Sequence, residues 1–374
     1  MSKQFSYSPA DCRPIWAADF LRRHTQRGRA FQLRHLGLEF YGIRDCLVLG
    51  GESQTVLPLL ATPANPAKPD LPHIFLESCP YTSNEQYLPG LAGKALAELE
   101  RGRELPEVEE AAPLNSPGAY NLWHWMTEGL PKLLALESIG YKGAYIVPPA
   151  PDGGNGVPAQ SLALLGVDPE RLLPGGSSYL VKNLILPPRL SGFHLAGNMP
   201  LTGLVRAKIL EALGGPAEGA RNKRIYLRRV GSRRILNEDE LLAVIGDFGF
   251  EAMVPEELSL VEQWRRLAGA GGFLAAHGAG SAHSLLLAPG APFLELFGNR
   301  YVSYNNLHAA RLLRLRYYPL VQDLDVTASP CGPGGQCDIF RYLLDGITSD
   351  ITVDPIHLRI ALEGMYDQEE NNHH

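Results

Sequence analysis

The sequence has no C-x-x-C pair, and its five cysteines, at 12, 46, 79, 331 and 337, are scattered and odd in number. That excludes a zinc ribbon or a thioredoxin-like couple and gives no disulfide framework; free thiols in a reducing compartment are expected. There is no G-x-S-x-G and no G-x-x-x-x-G-K, so neither a nucleophile elbow nor a P-loop is present. Positive charge is in deficit: 34 Lys and Arg against 40 Asp and Glu leave a formal charge of −6. A net acidic chain suits nucleic acid poorly, and no nucleic-acid partner is expected. The most apolar stretch, Leu267–Pro289, is interrupted by Gly, His277 and His283 and has no core of membrane length. The opening residues MSKQFSYSPADCRPIW lack a basic region followed by an apolar run, so no signal peptide is expected and the location is read as cytoplasmic.

What is present is an ordinary globular balance, 45% hydrophobic and 20% charged residues, with many turn formers: 39 Gly and 30 Pro. A chain of 374 residues suggests two domains. Pro187–Pro200, with three prolines and two glycines, is the best boundary. It divides the chain into a domain over 1–195 and a domain over 196–335; a segment 336–370 is expected to pack back on the first domain. Trp16–Leu36 carries Arg22, Arg23, Arg27, Arg29 and Arg34. It reads either as a solvated helix face or as a peripheral contact with an anionic membrane or glycan. Leu57–Pro72 is rich in proline and reads as extended, and Leu91–Glu100 as a short helix.

Asn121–Leu136 reads as a helix kinked or restarted at Pro131. Ala144–Val147 and Leu180–Leu186 read as strands. Beyond the boundary, strands at 224–228, 251–254, 272–276, 292–297 and 316–320 alternate with helices. The helices open at Asn237, at the capping box Ser259-x-x-Glu262, at Gly280 and at Asn305. That alternation implies parallel βαβ units with both sheet faces covered, a Rossmann-like α/β domain.

Four groups can carry chemistry. His277-Gly278-Ala279-Gly280 follows a buried strand and opens a helix, where small residues let an anion reach free N–H groups. Glu295 lies in the next strand, placed for ribose hydroxyls or for a structural ion pair. Lys223, Arg224, Arg228, Arg229, Arg233 and Arg234 form a basic cluster suited to diphosphate. Arg228 and Arg229 point to opposite strand faces, so only one enters a site. Last, His124 and Glu128 share a helix face at i and i+4. A carboxylate in a dry pocket there can act as a base, and Trp123 and Trp125 can form a wall or a sugar platform. An amphipathic core helix with a satisfied histidine explains the same residues. Asp323-Leu-Asp325 matches the unspecific D-x-D pattern, and no metal site is assigned to it.

Taken in order, these pieces resemble the glycosyltransferase family 61 domain. The resemblance rests on Asn121-Leu-Trp-His-Trp-Met-Thr-Glu-Gly-Leu-Pro-Lys132, Ile225-Tyr-Leu-Arg-Arg229 with Arg234-Ile-Leu-Asn-Glu238, Glu262-Gln263, His277-Gly-Ala-Gly280 and Phe293-Leu-Glu-Leu296. It implies a GT-B-like fold, two Rossmann-like domains facing each other across a cleft. It also implies inverting, metal-independent transfer from a nucleotide sugar, with no cofactor required. Relatives act in capsular and other surface polysaccharides, xylan and glycoproteins. On this resemblance the donor, a UDP-sugar, meets His277–Gly280, Arg229 and Arg234, and Glu295 holds its ribose. A glycan acceptor lies by Trp123 and Trp125. Glu128, where the family usually shows Asp, is the base, and His124 orients it or binds the acceptor. Two other readings stand beside this one: a non-catalytic glycan- or nucleotide-binding protein of the same fold, and a dinucleotide-dependent oxidoreductase, against which the missing third glycine counts.

Overall fold

The computed structural model describes residues 4–6, 30–35, 38–49, 55–58, 75–76, 105–115, 121–148, 156–188, 195–298, 301–322 and 349–371. Arg22, Arg23, Arg27 and Arg29, the proline segment past Pro58, Leu91–Glu100, Asp323, Asp325 and every cysteine except Cys46 lie outside them. The chain divides into two compact units, Met1–Val205 and Arg206–His374. The division falls within helix α3 (Leu195–Ala212).

Among the described residues the first unit holds nine strands in one mixed sheet. They are β1 (Gln4–Ser6), β2 (Ala30–His35), β3 (Leu38–Leu49), β4 (Thr55–Pro58), β5 (Phe75–Leu76), β6 (Glu107–Pro113), β7 (Ala144–Val147), β8 (Leu172–Pro174) and β9 (Tyr179–Leu186). The main path runs β1-β2-β3-β9-β6-β7-β8, with β4 and β5 added beside β3. Strands β9, β6, β7 and β8 are mutually parallel, and β3 joins β9 antiparallel. Val48, Ala111, Ile146, Val181 and Leu184 fill one core.

Between β6 and β7 runs the helix that carries His124. It starts as α1 (Leu122–His124), widens to a π turn over Trp125–Gly129, and resumes as α2 (Leu130–Ser138). Asn121 Oδ1 caps it by accepting from the His124 N–H at 3.1 Å. Pro131 has no N–H to give to the preceding turn and sits in the first turn of α2, where none is needed. The π turn also makes room for Trp125, whose indole lies over Gly129: a Cβ there would be 2.2 Å from the ring. Single π turns inside α-helices recur at functional sites.

The second unit is a doubly wound α/β domain. Its strands are β10 (Arg224–Leu227), β11 (Phe250–Met253), β12 (Gly272–Ala276), β13 (Pro292–Phe297) and β14 (Arg316–Val321). They run in the order β11-β10-β12-β13-β14, all parallel. Every residue of β12 and β13 is buried, as expected of strands covered on both faces. Phe273 and Phe293 are register partners with rings 5.2 Å apart, a pair that contributes about 0.5–1.5 kcal/mol beyond its buried area. The connecting helices are α4 (Glu238–Gly246), α5 (Leu260–Leu267) and α6 (Asn305–Leu313), and α7 (Pro355–Asn371) ends the described chain. The capping box Ser259–Glu262 forms as read from the sequence. Leu260, Trp264 and Leu267 then face inward at helical spacing.

Four local expectations change. Ala30–His35, part of the stretch that reads as a solvated helix face, is strand β2, paired antiparallel with β3. Asn237 does not cap α4; its amide pairs with the N–H and C=O of Val353, at 3.0 and 2.7 Å. The helix expected at 280–287 is a 3₁₀ helix, Ala279–Leu286. Ser281 Oγ donates to Gly278 O and His283 Nδ1 to Gly280 O, both three residues back, which suits the tighter coil. The C-terminal segment was expected against the first domain; Leu358, Leu362 and Met365 instead join the core of the second unit.

Candidate active site

In an open parallel sheet the ligand end lies at the strand carboxyl ends, where neighbouring strands send their connections to opposite sides. Here that point is between β10 and β12. Just past β10, Arg228 and Arg229 part as strand alternation requires. Arg228 pairs with Glu238, Nε to Oε2 at 2.8 Å, and Tyr226 donates to the other oxygen. Arg229 turns the other way, and its Nη1 donates to the His277 carbonyl at 3.3 Å. Arg233 reaches the same oxygen, Nη1 at 2.9 Å, from a left-handed backbone with φ 60°. Two guanidiniums therefore meet on one carbonyl. Gly278 permits this, since a Cβ there would lie 2.0 Å from Arg229 Nη1.

The price of that convergence is electrostatic. Burial lowers the pKa of Arg229. Burial and then the Arg229 charge bring Arg233 down to about 10. Arg233 Nε is buried without a hydrogen-bond partner. An anion between the two guanidiniums would relieve both, and phosphate oxygens fit such a fork.

His277 begins the turn, and its ring is fixed on several sides. Phe297 stacks on it at 5.0 Å and Tyr301 lies at 5.3 Å. Its Nδ1 donates to Glu295 Oε1 at 2.6 Å. Glu295 has no exposed surface. Asn306 Nδ2 also donates to Oε1, and the Tyr317 hydroxyl to Oε2, each at 2.5 Å. Burial first, then the Glu295 charge, raises the Tyr317 pKa and keeps it a donor. Three donors make Glu295 a satisfied buried carboxylate that aims His277. It offers no exposed surface to a ribose; its partners are His277, Asn306 and Tyr317. Arg234 also departs from expectation: it is tied to Asp350 by Nη2–Oδ2 at 2.9 Å, and Arg233 takes its place beside Arg229.

In the first unit, α1 and the π turn bring His124 Nδ1 to 2.7 Å from Glu128 Oε1. The Glu128 side chain is 4% exposed and that of His124 18%. The imidazole is thereby held by a carboxylate, and of the two side chains His124 keeps the larger exposed surface. The sugar platform is not formed. Trp125 is fully buried and donates from Nε1 to Ser161 Oγ at 2.7 Å, and Trp123 is 6% exposed. The two indoles are core. On the same helix Lys132 is buried and donates to the Asn115 carbonyl.

Among the described residues no group of three or more His, Cys, Asp or Glu is placed to hold a metal ion. Among them, too, no helix is long and apolar enough to cross a membrane.

One match spans both of these places: residues 122–294 fit the family model described as Glycosyltransferase 61. The chain carries a glycosyltransferase family 61 domain. It is therefore a glycosyltransferase, an enzyme with a sugar donor and an acceptor. The matched span holds His124, Glu128, Arg229, Arg233 and His277 and stops one residue before Glu295. No curated protein matches the chain.

Arg233, Asn306 and Tyr317 were not legible as site residues. Arg233 stood in the basic cluster, but only its left-handed turn sends it to His277. Tyr317 and Asn306 reach Glu295 from elements that follow it in the chain, and no local pattern marks such a contact.

Proposed function

We propose that this family 61 enzyme transfers a sugar with inversion from a UDP-sugar to a glycan acceptor, with a GT-B-type division of labour between its two units. The second unit takes the donor and the first supplies the base. The acceptor hydroxyl gives its proton to the His124–Glu128 pair, and its oxygen attacks the anomeric carbon. The bond from that carbon to the diphosphate oxygen breaks, and its electron pair stays with the leaving diphosphate. Arg229, Arg233 and His277 carry that charge. Glu128 and Glu295 each hold their histidine in one tautomer and one orientation. Preorganised cations stabilise a leaving anion without reorganisation at the moment of reaction.

The observation that carries this reading is the meeting of Arg229 and Arg233 on the His277 turn, at the switch point of a parallel sheet. Synthesis of a surface or capsular polysaccharide on the cytoplasmic side of a membrane is the setting we infer. The test is a panel of nucleotide sugars assayed for nucleoside diphosphate release, with and without EDTA. Release from one UDP-sugar, undiminished by EDTA and giving the inverted anomer by proton NMR, is the expected result. Binding of UDP with no release from any sugar tested, across a range of glycan acceptors, would instead favour a non-catalytic binding protein.

A further inference from the structure

The segment 349–354 lies well past the family match, yet it is laced to the loop that carries the donor arginines. Ile351 N–H donates to Arg234 O, and Leu236 N–H to Ile351 O, both at 2.8 Å, around a parallel bridge between Ile235 and Ile351. The Asn237 amide then grips Val353 through both of its backbone groups. At the head of this ladder stands Asp350. Its Oδ1 accepts the Arg234 N–H at 2.9 Å, and its Oδ2 accepts Arg234 Nη2 at 2.9 Å and Nε at 3.3 Å.

Arg233 is one of two described non-glycine residues with positive φ. L side chains rarely adopt that region, so something must hold it there. The N–H that directly follows the left-handed residue, that of Arg234, is held by the Asp350 carboxylate. The side-chain and backbone hydrogen bonds from Arg234 keep the Asp350 pKa below the ordinary carboxylate value, so the group is an anion at neutral pH.

We propose that Asp350 is a positioning residue of the donor site: by binding the backbone N–H and the guanidinium of Arg234 it fixes the turn that sends the Arg233 guanidinium to the His277 carbonyl. The proposal rests on the reading that Arg229 and Arg233 take the donor diphosphate. It assigns a role in donor binding to a residue outside the matched domain.

The test is calorimetric titration of UDP into four full-length proteins: native, Asp350→Ala, Arg233→Ala and the double variant. Asp350→Ala should weaken UDP about tenfold, the loss of one well-aimed charge-assisted contact. In the Arg233→Ala background the same change should cost less than about twofold, because its effect runs through Arg233. Arg234→Ala keeps the N–H that Asp350 accepts and should stay within about threefold of native. If Asp350→Ala does not fold, the isosteric Asp350→Asn carries the same cycle, with Asp350→Glu as the conservative rescue. Native affinity in the Asp350 variants, or an equal loss in both backgrounds, overturns the proposal and leaves the diphosphate reading intact. Failure of the native chain to bind UDP, GDP, ADP, CDP or dTDP overturns both.

Discussion

Each unit contains a histidine whose Nδ1 is held by a glutamate Oε1, at 2.7 Å in His124–Glu128 and 2.6 Å in His277–Glu295. The pairs use the same atoms but are built differently. The first is made within one helix, from residues four apart across a π turn. The second joins a turn to a strand, and its carboxylate is locked by Asn306 from α6 and Tyr317 from β14. Their neighbours differ more than their geometry. Two buried indoles flank His124 in the chain, and two guanidiniums meet on the His277 carbonyl. On the proposed reading the same dyad accepts a proton in one place and binds an anion in the other. A histidine–carboxylate pair has no chemistry of its own until its surroundings assign one.

His283 sharpens the contrast. It is buried too, but its Nδ1 donates to the Gly280 carbonyl at 2.7 Å rather than to a carboxylate. Burial, with no charge to offset it, brings its pKa down to about 4. A histidine without a carboxylate partner thus stays neutral and serves the fold.

The largest effect should come from the first dyad. His124→Ala should cut turnover by about 10²–10⁴ while the affinity for UDP stays native, read from initial rates and calorimetry on the same protein. Glu128→Gln should lower turnover less than His124→Ala, because it perturbs the orienting group and leaves the ring in place. A larger loss for Glu128→Gln would return the base to the carboxylate.

The second dyad should respond in the opposite measurement. Arg229→Ala or Arg233→Ala should each weaken UDP by about 10–100-fold, the range of a charge-assisted contact to phosphate. Gly278→Ala should act in the same direction without touching a charge, since the new Cβ would strike Arg229 Nη1.

His283 gives a stability prediction. The native ring titrates near 4 and the unfolded ring near its ordinary 6.5. Between those values the unfolded chain takes up the proton and the native chain does not, so stability falls as pH drops from about 6.5 toward 4. From pH 7 to pH 5 this histidine should account for about 2 kcal/mol of lost stability. Urea unfolding of native and His283→Asn proteins at the two pH values measures that share; an equal pH dependence in both would remove His283 as its source. The smallest effect is structural. Trp125→Phe loses the bond to Ser161 and should cost about 1 kcal/mol in thermal unfolding, with no change in KM for the acceptor. A rise in KM would restore the sugar platform.

The sequence was most informative where local rules and topology agree. The capping box at Ser259, the buried strands Gly272–Ala276 and Pro292–Phe297, and the opposed directions of Arg228 and Arg229 all follow from period and spacing. The pairing of His124 with Glu128 followed from helical spacing too, although the π turn between them did not. The errors share a cause: a residue's chemistry was read without its distant neighbours. Glu295 was seen as a lone acid in an apolar strand, because Asn306 and Tyr317 arrive from later elements. Arg234 was given the role of Arg233, because Asp350, 116 residues away, decides which of them turns inward. Trp125 was read as a platform, because Ser161 and Gly129, which bury it, leave no mark in its own helix.

The division between the two dyads can be tested in one comparison: titrate UDP into His124→Ala and into Arg229→Ala, alongside the native chain. The account predicts native affinity in the first and at least about a tenfold loss in the second. Equal weakening in both, or a loss confined to His124→Ala, would contradict it.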